Sequence, residues 1–187
     1  MHKLQGVYLN RTDSLVKWIF PSIKDILFLA YLFTPLMASS SACLGDSDTG
    51  WHIRNGEHIL RNLSLPRSDY FSYTAYGTPW FAWEWLADVI MGIIHKYAGL
   101  NGIVLWANVM FAVTFTLLFV WALKKGGNVF FSIVLSGLAG FAASIHWLAR
   151  PHLFTMLLLL IWYMLLERFE HENDRKSLYF LPPLLLI

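Results

Sequence analysis

Ile26-Leu-Phe-Leu-Ala-Tyr-Leu-Phe-Thr-Pro-Leu-Met-Ala-Ser-Ser-Ser-Ala-Cys-Leu44 is an uncharged, mostly apolar run, and Gly45-Asp46-Ser47-Asp48-Thr49-Gly50-Trp51-His52 follows it directly. As a helix, the run reaches about 28 Å at 1.5 Å per residue, close to the hydrocarbon thickness of a bilayer. Two carboxylates and an imidazole therefore stand where a membrane helix meets water. Charge at such a depth is costly, and it marks function more often than charge elsewhere.

The rest of the chain agrees with a membrane reading. Of 187 residues, 57% are hydrophobic and 17% aromatic, and the mean hydropathy is +0.51. Only 14% are charged, against about 25% in a soluble domain. The expected fold is all-α: a polytopic transmembrane helical bundle with an external loop containing interfacial helices. A net charge of +2 and the lack of a basic stripe argue against a nucleic-acid partner. The single cysteine, Cys43, excludes an internal disulfide and a cysteine-rich metal site.

Charge sets the expected topology. Lys3, Arg11, Lys17 and Lys24 place the N-terminus in the cytoplasm by the positive-inside rule. Crossings are expected at about 26–44, 102–123, 129–148 and 150–166, with the start of a fifth at 178–187. Residues 45–81 form an external loop, whose first part, Thr49 to Asn62, suits a short helix with Asp48 as its N-cap. Residues 82–97 carry apolar side chains at helical spacing, with Glu84, Asp88 and His95 on the opposite face. That pattern predicts a helix lying along the outer interface rather than crossing. If it does not cross, Lys124 and Lys125 fall in the cytoplasm and Arg150-Pro151-His152 falls outside. The chain ends within an apolar run too short to cross a bilayer, so residues 1–187 are expected to be the N-terminal part of one transmembrane domain.

Asp46-x-Asp48-x-x-x-His52 carries the chemistry. On a helix starting near Asp48, Asp48 and His52 share a face. The trio offers two hard oxygens and a nitrogen to a divalent cation such as Mg2+ or Mn2+. It equally offers a carboxylate base beside an imidazole that orients it or carries a proton. A solvated turn with a capping aspartate is the plain alternative.

The pattern Asp46-x-Asp48-x-x-Trp51-His52-x-x-x-Gly56-x-x-Ile59 resembles the first external loop of bacterial GT-C superfamily glycosyltransferases. The following Leu65-Pro-Arg-Ser-Asp69-Tyr-Phe-Ser72, Gly77-Thr-Pro-Trp80 and Trp83-Glu84-Trp85-Leu86 fit the same resemblance, which runs from about Ile26 to Leu178. Aminoarabinose transferase, protein mannosyltransferase and the oligosaccharyltransferase catalytic subunit belong to that superfamily. The resemblance implies an enzyme of the cytoplasmic membrane that moves a sugar from a polyprenyl-phosphate carrier to an extracytoplasmic acceptor. Its partners would be the lipid-linked donor, membrane lipids and that acceptor. Asp48 or Asp46 would be the base or a metal ligand, with His52 beside them. Arg150, whose planar fork suits phosphate, would contact the carrier. His152, Glu84 and Trp51 would bind substrate. Several relatives carry an aspartate before the proline where this chain has Arg150, and the Glu-Lys-Pro stretch of the aminoarabinose type is missing.

Each of these residues has an ordinary reading as well. Arg150 at a helix end can snorkel to headgroups. Glu84 and Asp88 form an acidic stripe of the kind found on a solvated face. Trp80, Trp83 and Trp85 suit an interfacial aromatic belt. The same features also fit a transporter or polymer-export component, or a GT-C-like scaffold without catalysis.

Overall fold

The structure, a computed structural model, describes residues 21–39, 42–172 and 174–185. Lys3, Arg11 and Lys17, on which the cytoplasmic N-terminus rests, lie outside the described residues. The described chain is helical, and its one β feature is an isolated bridge between Ser68 and Pro79.

Helix α1, Ile23–Ser39, opens with the Ser22 backbone N–H and hydroxyl both donating to the Asp25 carboxylate, at 2.9 and 2.6 Å. It ends before the expected boundary, and a separate 3-10 turn, Ala42–Leu44, leads to the acidic motif. Helix α2, Asp48–Asn62, forms where expected, but its N-cap is Ser47, and Asp48 is its first helical residue. Leu63 turns the chain out of α2 in the left-handed region (φ 50°).

Helix α3 runs from Trp85 to Lys124, beginning three residues later than expected. Gly99 breaks it with φ 59° and ψ −160°, values that glycine adopts without a Cβ penalty. The break divides an amphipathic first part from residues 100–124, which reach about 37 Å. Two helices therefore meet at Gly99, between the expected helix at 82–97 and the expected crossing at 102–123. Gly126 (φ 82°) closes its end, donating to Leu123 O at 3.0 Å.

Helix α4, Val129–Ala142, is capped by Asn128, whose side chain accepts the Phe130 N–H, and it tightens into a 3-10 turn, Ala143–His146. Helix α5, His152–Glu172, extends beyond the expected 166, which gives it enough length to cross. Among the described residues, three helical stretches are long and apolar enough to cross a membrane: Trp85–Lys124, Val129–His146 and His152–Glu172. The expected start of a fifth crossing is instead two 3-10 turns, Arg175–Phe180 and Pro183–Leu185. Pro182 and Pro183 lack the N–H groups that an α-helix needs there.

Ile53 of α2, Met91, Ile103, Ala107, Phe111 and Phe115 of α3, and Leu153 of α5 form the core, so α3 is its axis. Tyr31 of α1 packs on Phe115 and donates to Ser136 of α4 at 2.9 Å. Phe130, Phe131, Leu135 and Phe141 of α4 and Leu159 of α5 remain exposed. Apolar side chains on the outer faces of span-length helices are what a lipid environment leaves uncovered. At one end of the helices, Glu167 accepts from Trp121 Nε1 at 2.8 Å and pairs with Lys125 at 2.5 Å. The acidic motif lies at the other end.

Candidate functional site

Two hydrogen bonds bring the acidic motif to the turn between α4 and α5. The Ala149 N–H donates to Cys43 O at 2.9 Å, and the Thr49 hydroxyl donates to Ala149 O at 3.1 Å. Both backbone groups of Ala149 are thereby held, and the residue is fully buried. Its neighbour Arg150 is left facing the start of α2.

The guanidinium of Arg150 reaches both aspartates. One nitrogen donates to Asp46 Oδ2 at 2.8 Å, and the other donates to Asp48 Oδ2. Asp46 Oδ1 accepts the Asp48 N–H at 2.8 Å, so Asp46, rather than the expected Asp48, satisfies a free donor at the start of α2. That N–H is the main reason the Asp46 carboxyl lies below its usual 3.8; partial burial opposes it, and Arg150 adds to it.

A second polar pair is buried behind this one. His52 Nδ1 lies 2.7 Å from Asp88 Oδ1, and the two side chains are 2% and 1% exposed. Asp88 is thus not on a solvated face: the α2 helix covers it. Close approach of the two helices depends on glycine. A Cβ on Gly56 would stand 1.8 Å from the Asp88 backbone oxygen, and one on Gly92 would stand 2.8 Å from Gly56 and Glu57 backbone atoms. Small residues at a crossing let backbones meet, and here they carry His52 to Asp88. One turn further on, His95 Nδ1 lies 2.8 Å from Glu57 Oε1. The pairs advance in step, so α2 and the first part of α3 run in the same sense.

The segment between these helices supplies a further link. Asp69 accepts from the backbone N–H groups of Phe71 and Ser72 at 2.8 and 2.9 Å and from the Ser72 hydroxyl, which pins the bend. The bend places Tyr70 so that its hydroxyl donates to Asn55 Oδ1 at 2.8 Å. Asn55 Nδ2 donates to Asp88 Oδ2 at 2.5 Å. Burial, and the nearby Asp88 charge, push the Tyr70 hydroxyl up to about 12, so it stays a donor at neutral pH.

His52, Glu84, His146, Arg150 and His152 line a pocket of about 250 Å³. Four of the residues singled out in the sequence, His52, Glu84, Arg150 and His152, therefore meet on one cavity, with Asp46 and Asp48 against Arg150. His152 Nε2 contacts His146 O at 2.8 Å, which fixes the ring at the mouth. Trp51 lies elsewhere. Its ring stacks on His52 at 3.8 Å between centroids and meets Trp80 edge-on at 5.8 Å, so it backs the imidazole instead of lining the cavity.

The Asp46, Asp48 and His52 donors do not converge. The two carboxylates point to Arg150, while His52 Nδ1 points to Asp88. Among the described residues, no group of three or more His, Cys, Asp and Glu side chains is arranged to hold a metal ion. The trio does not fit a shared divalent cation in this arrangement.

Asn55, Tyr70 and Gly92 are the site residues that sequence periodicity misses; it places Asp88 on a polar face without naming its partner His52. The available signal is a spacing: Asn55-Gly56 after His52 and Gly92 four residues after Asp88 put a small residue beside a polar one on each helix. No protein-family model matches this chain, and it matches no curated protein and no solved structure.

Proposed function

We propose that this protein is a membrane glycosyltransferase that moves a sugar from a polyprenyl-phosphate carrier to an extracytoplasmic acceptor. The observation that carries the reading is Arg150, a guanidinium on the wall of the pocket with Asp46 and Asp48 on its fork. The acidic-motif resemblance adds the sugar chemistry.

Transfer at an anomeric carbon needs positive charge where the phosphate departs and a base for the incoming hydroxyl. Arg150 supplies the first through the N–H groups that Asp46 and Asp48 leave free, since a guanidinium carries five donors. Asp46, Asp48 and His52 are the groups able to supply the second. Glu84 and His152 on the same wall are suited to sugar hydroxyls. The positive-inside rule puts the Lys124–Lys125 end in the cytoplasm and the pocket at the outer face. Exposed apolar side chains on α4 and α5 would contact membrane lipids and let a carrier lipid approach sideways.

The test uses membranes containing the full protein, labelled polyprenyl-phosphate sugars and Asp46→Asn, Asp48→Asn and Arg150→Gln variants. Transfer by the parent chain that is lost on removing Arg150 supports the reading. Transfer that survives all three changes at intact expression defeats it.

A further inference from the structure

We infer that Asp88 is a positioning residue that holds His52 as the proton acceptor of the pocket, within the hydrogen-bonded series Tyr70–Asn55–Asp88–His52. The inference rests on the transferase reading for the proton it accepts. Its geometry stands on its own.

The direction of each hydrogen bond follows from the ends of the series. Asn55 has one acceptor oxygen and one donor nitrogen, and the two can be exchanged by rotating the amide. If its oxygen faced Asp88, two acceptors would meet at 2.5 Å. The nitrogen therefore faces Asp88, and the oxygen takes the Tyr70 hydroxyl at 2.8 Å. Asp88 Oδ2 thus accepts from Asn55. Taken as an ionised carboxylate, Asp88 accepts at Oδ1 as well, 2.7 Å from His52 Nδ1, and that nitrogen then carries the proton. With Nδ1 donating, the lone pair of neutral His52 is on Nε2. That nitrogen has no hydrogen-bond partner among the described residues, and His52 lines the pocket.

Burial makes the arrangement consequential. Asn55 and Asp88 are fully buried and His52 is 2% exposed, so no water competes for these bonds. A carboxylate behind an imidazole fixes its tautomer and stabilises the imidazolium that forms when Nε2 takes a proton. Asp46 and Asp48 are differently placed, because Arg150 already engages both. The division of labour is then clear. The acceptor hydroxyl gives its proton to His52 Nε2 as its oxygen bonds to the anomeric carbon. The bond from that carbon to the carrier phosphate breaks, and its electron pair leaves with the phosphate beside Arg150.

The experiment is 15N NMR of the full chain, labelled in histidine and held in lipid nanodiscs at neutral pH. His52 is assigned from the signal lost in His52→Gln. The expected result is a protonated Nδ1 and an unprotonated Nε2. An Nε2–H tautomer or an imidazolium overturns the inference. In Asp88→Asn the tautomer is expected to shift to Nε2–H, with transfer falling about 10²–10⁴-fold. An unchanged tautomer and unchanged transfer overturn it as well. Should Asp88→Asn not fold, Tyr70→Phe at the rim of the series is measured instead. A mixed tautomer and a loss of transfer of up to about tenfold are expected there, and no change in either counts against the series. A parent chain that transfers nothing yet shows the Nδ1–H tautomer defeats the transferase reading and leaves the positioning role of Asp88 standing.

Discussion

His52 and Asp88, thirty-six residues apart in sequence, face each other at 2.7 Å in a setting that excludes solvent from both side chains. Removing the Asp88 carboxylate leaves His52 Nδ1 and Asn55 Nδ2 buried without a partner. Asp88→Ala is therefore expected to lower the unfolding free energy by roughly 3–5 kcal/mol. Glu84→Ala, one turn earlier and exposed, is expected to change it by less than about 0.5 kcal/mol. Denaturant titration in detergent micelles measures both. Equal effects would mean that the acidic stripe is solvated after all.

Arg150 separates catalysis from stability. Its ion pairs are part-exposed, with 35% of the arginine side chain accessible, and pairs of that kind add little to folding. Arg150→Gln is expected to cut transfer by about 10²–10³-fold while the melting temperature hardly moves. Arg150→Lys should restore little, because a point charge does not reproduce the two-pronged geometry. Initial rates and thermal melts on the same preparations decide this.

The glycine crossing is the most sensitive packing feature of the site. Gly56→Ala places a methyl group within 1.8 Å of the Asp88 carbonyl oxygen, a backbone atom that cannot step aside alone. The helices must separate, at an expected cost of about 1–3 kcal/mol, and His52 moves away from Asp88. Gly50→Ala, whose Cβ meets nothing within 4 Å, is the matched control in the same α2 helix and should be nearly neutral.

Acid should loosen the pocket region in a defined window. The Asp46 carboxyl lies below 3.8, held there first by the Asp48 N–H. Burial pushes Glu57 up, but hydrogen bonds from His95 and Arg54 outweigh it and hold the carboxyl below 4.5. A carboxyl depressed on folding adds stability above its unfolded value, and that stability is lost as pH falls through the folded value. These two groups thus leave the melting temperature flat above about pH 5.5 and lower it progressively below pH 4.5. Glu57→Gln should flatten the upper part of the decline in a series of melts, and an unchanged curve would count against the Glu57 contribution.

Topology gives the fifth expectation. With Cys43 replaced by Ser, a single thiol at Ser47→Cys should react with impermeant reagent added outside whole cells. A thiol at Lys124→Cys should react only after the membrane is opened. The reverse pattern would place the pocket in the cytoplasm and remove the lipid-carrier reading.

What the sequence makes visible follows from the kind of signal each residue leaves. Asp46, Asp48, His52, Arg150 and His152 interrupt apolar runs, so they stand out, and they lie within one site. Asp88 leaves a different signal. Helical periodicity separates two faces of residues 82–97 but does not say what covers each. Asp88 on the polar face is covered by α2, whose own polar positions, His52 and Asn55, match it, while Glu84 stays exposed. The kink at Gly99 is legible only as a gap between two apolar stretches, since a lone glycine does not announce a left-handed backbone. Hydropathy reads the leucines of the final segment but not its backbone: Pro182 and Pro183 withhold N–H groups, and the described residues there form 3-10 turns.

The bond from Arg150 to Asp46 spans 104 residues, and this gives the site a history during synthesis. A ribosome adds about 5–20 residues per second, so Asp46 and Asp48 emerge roughly 5–20 seconds before the guanidinium that neutralises them. Without that arginine the two carboxylates are costly to desolvate, which favours keeping the segment in water until the guanidinium is made. The late arrival of one arginine then closes a ring that the earliest helices left open.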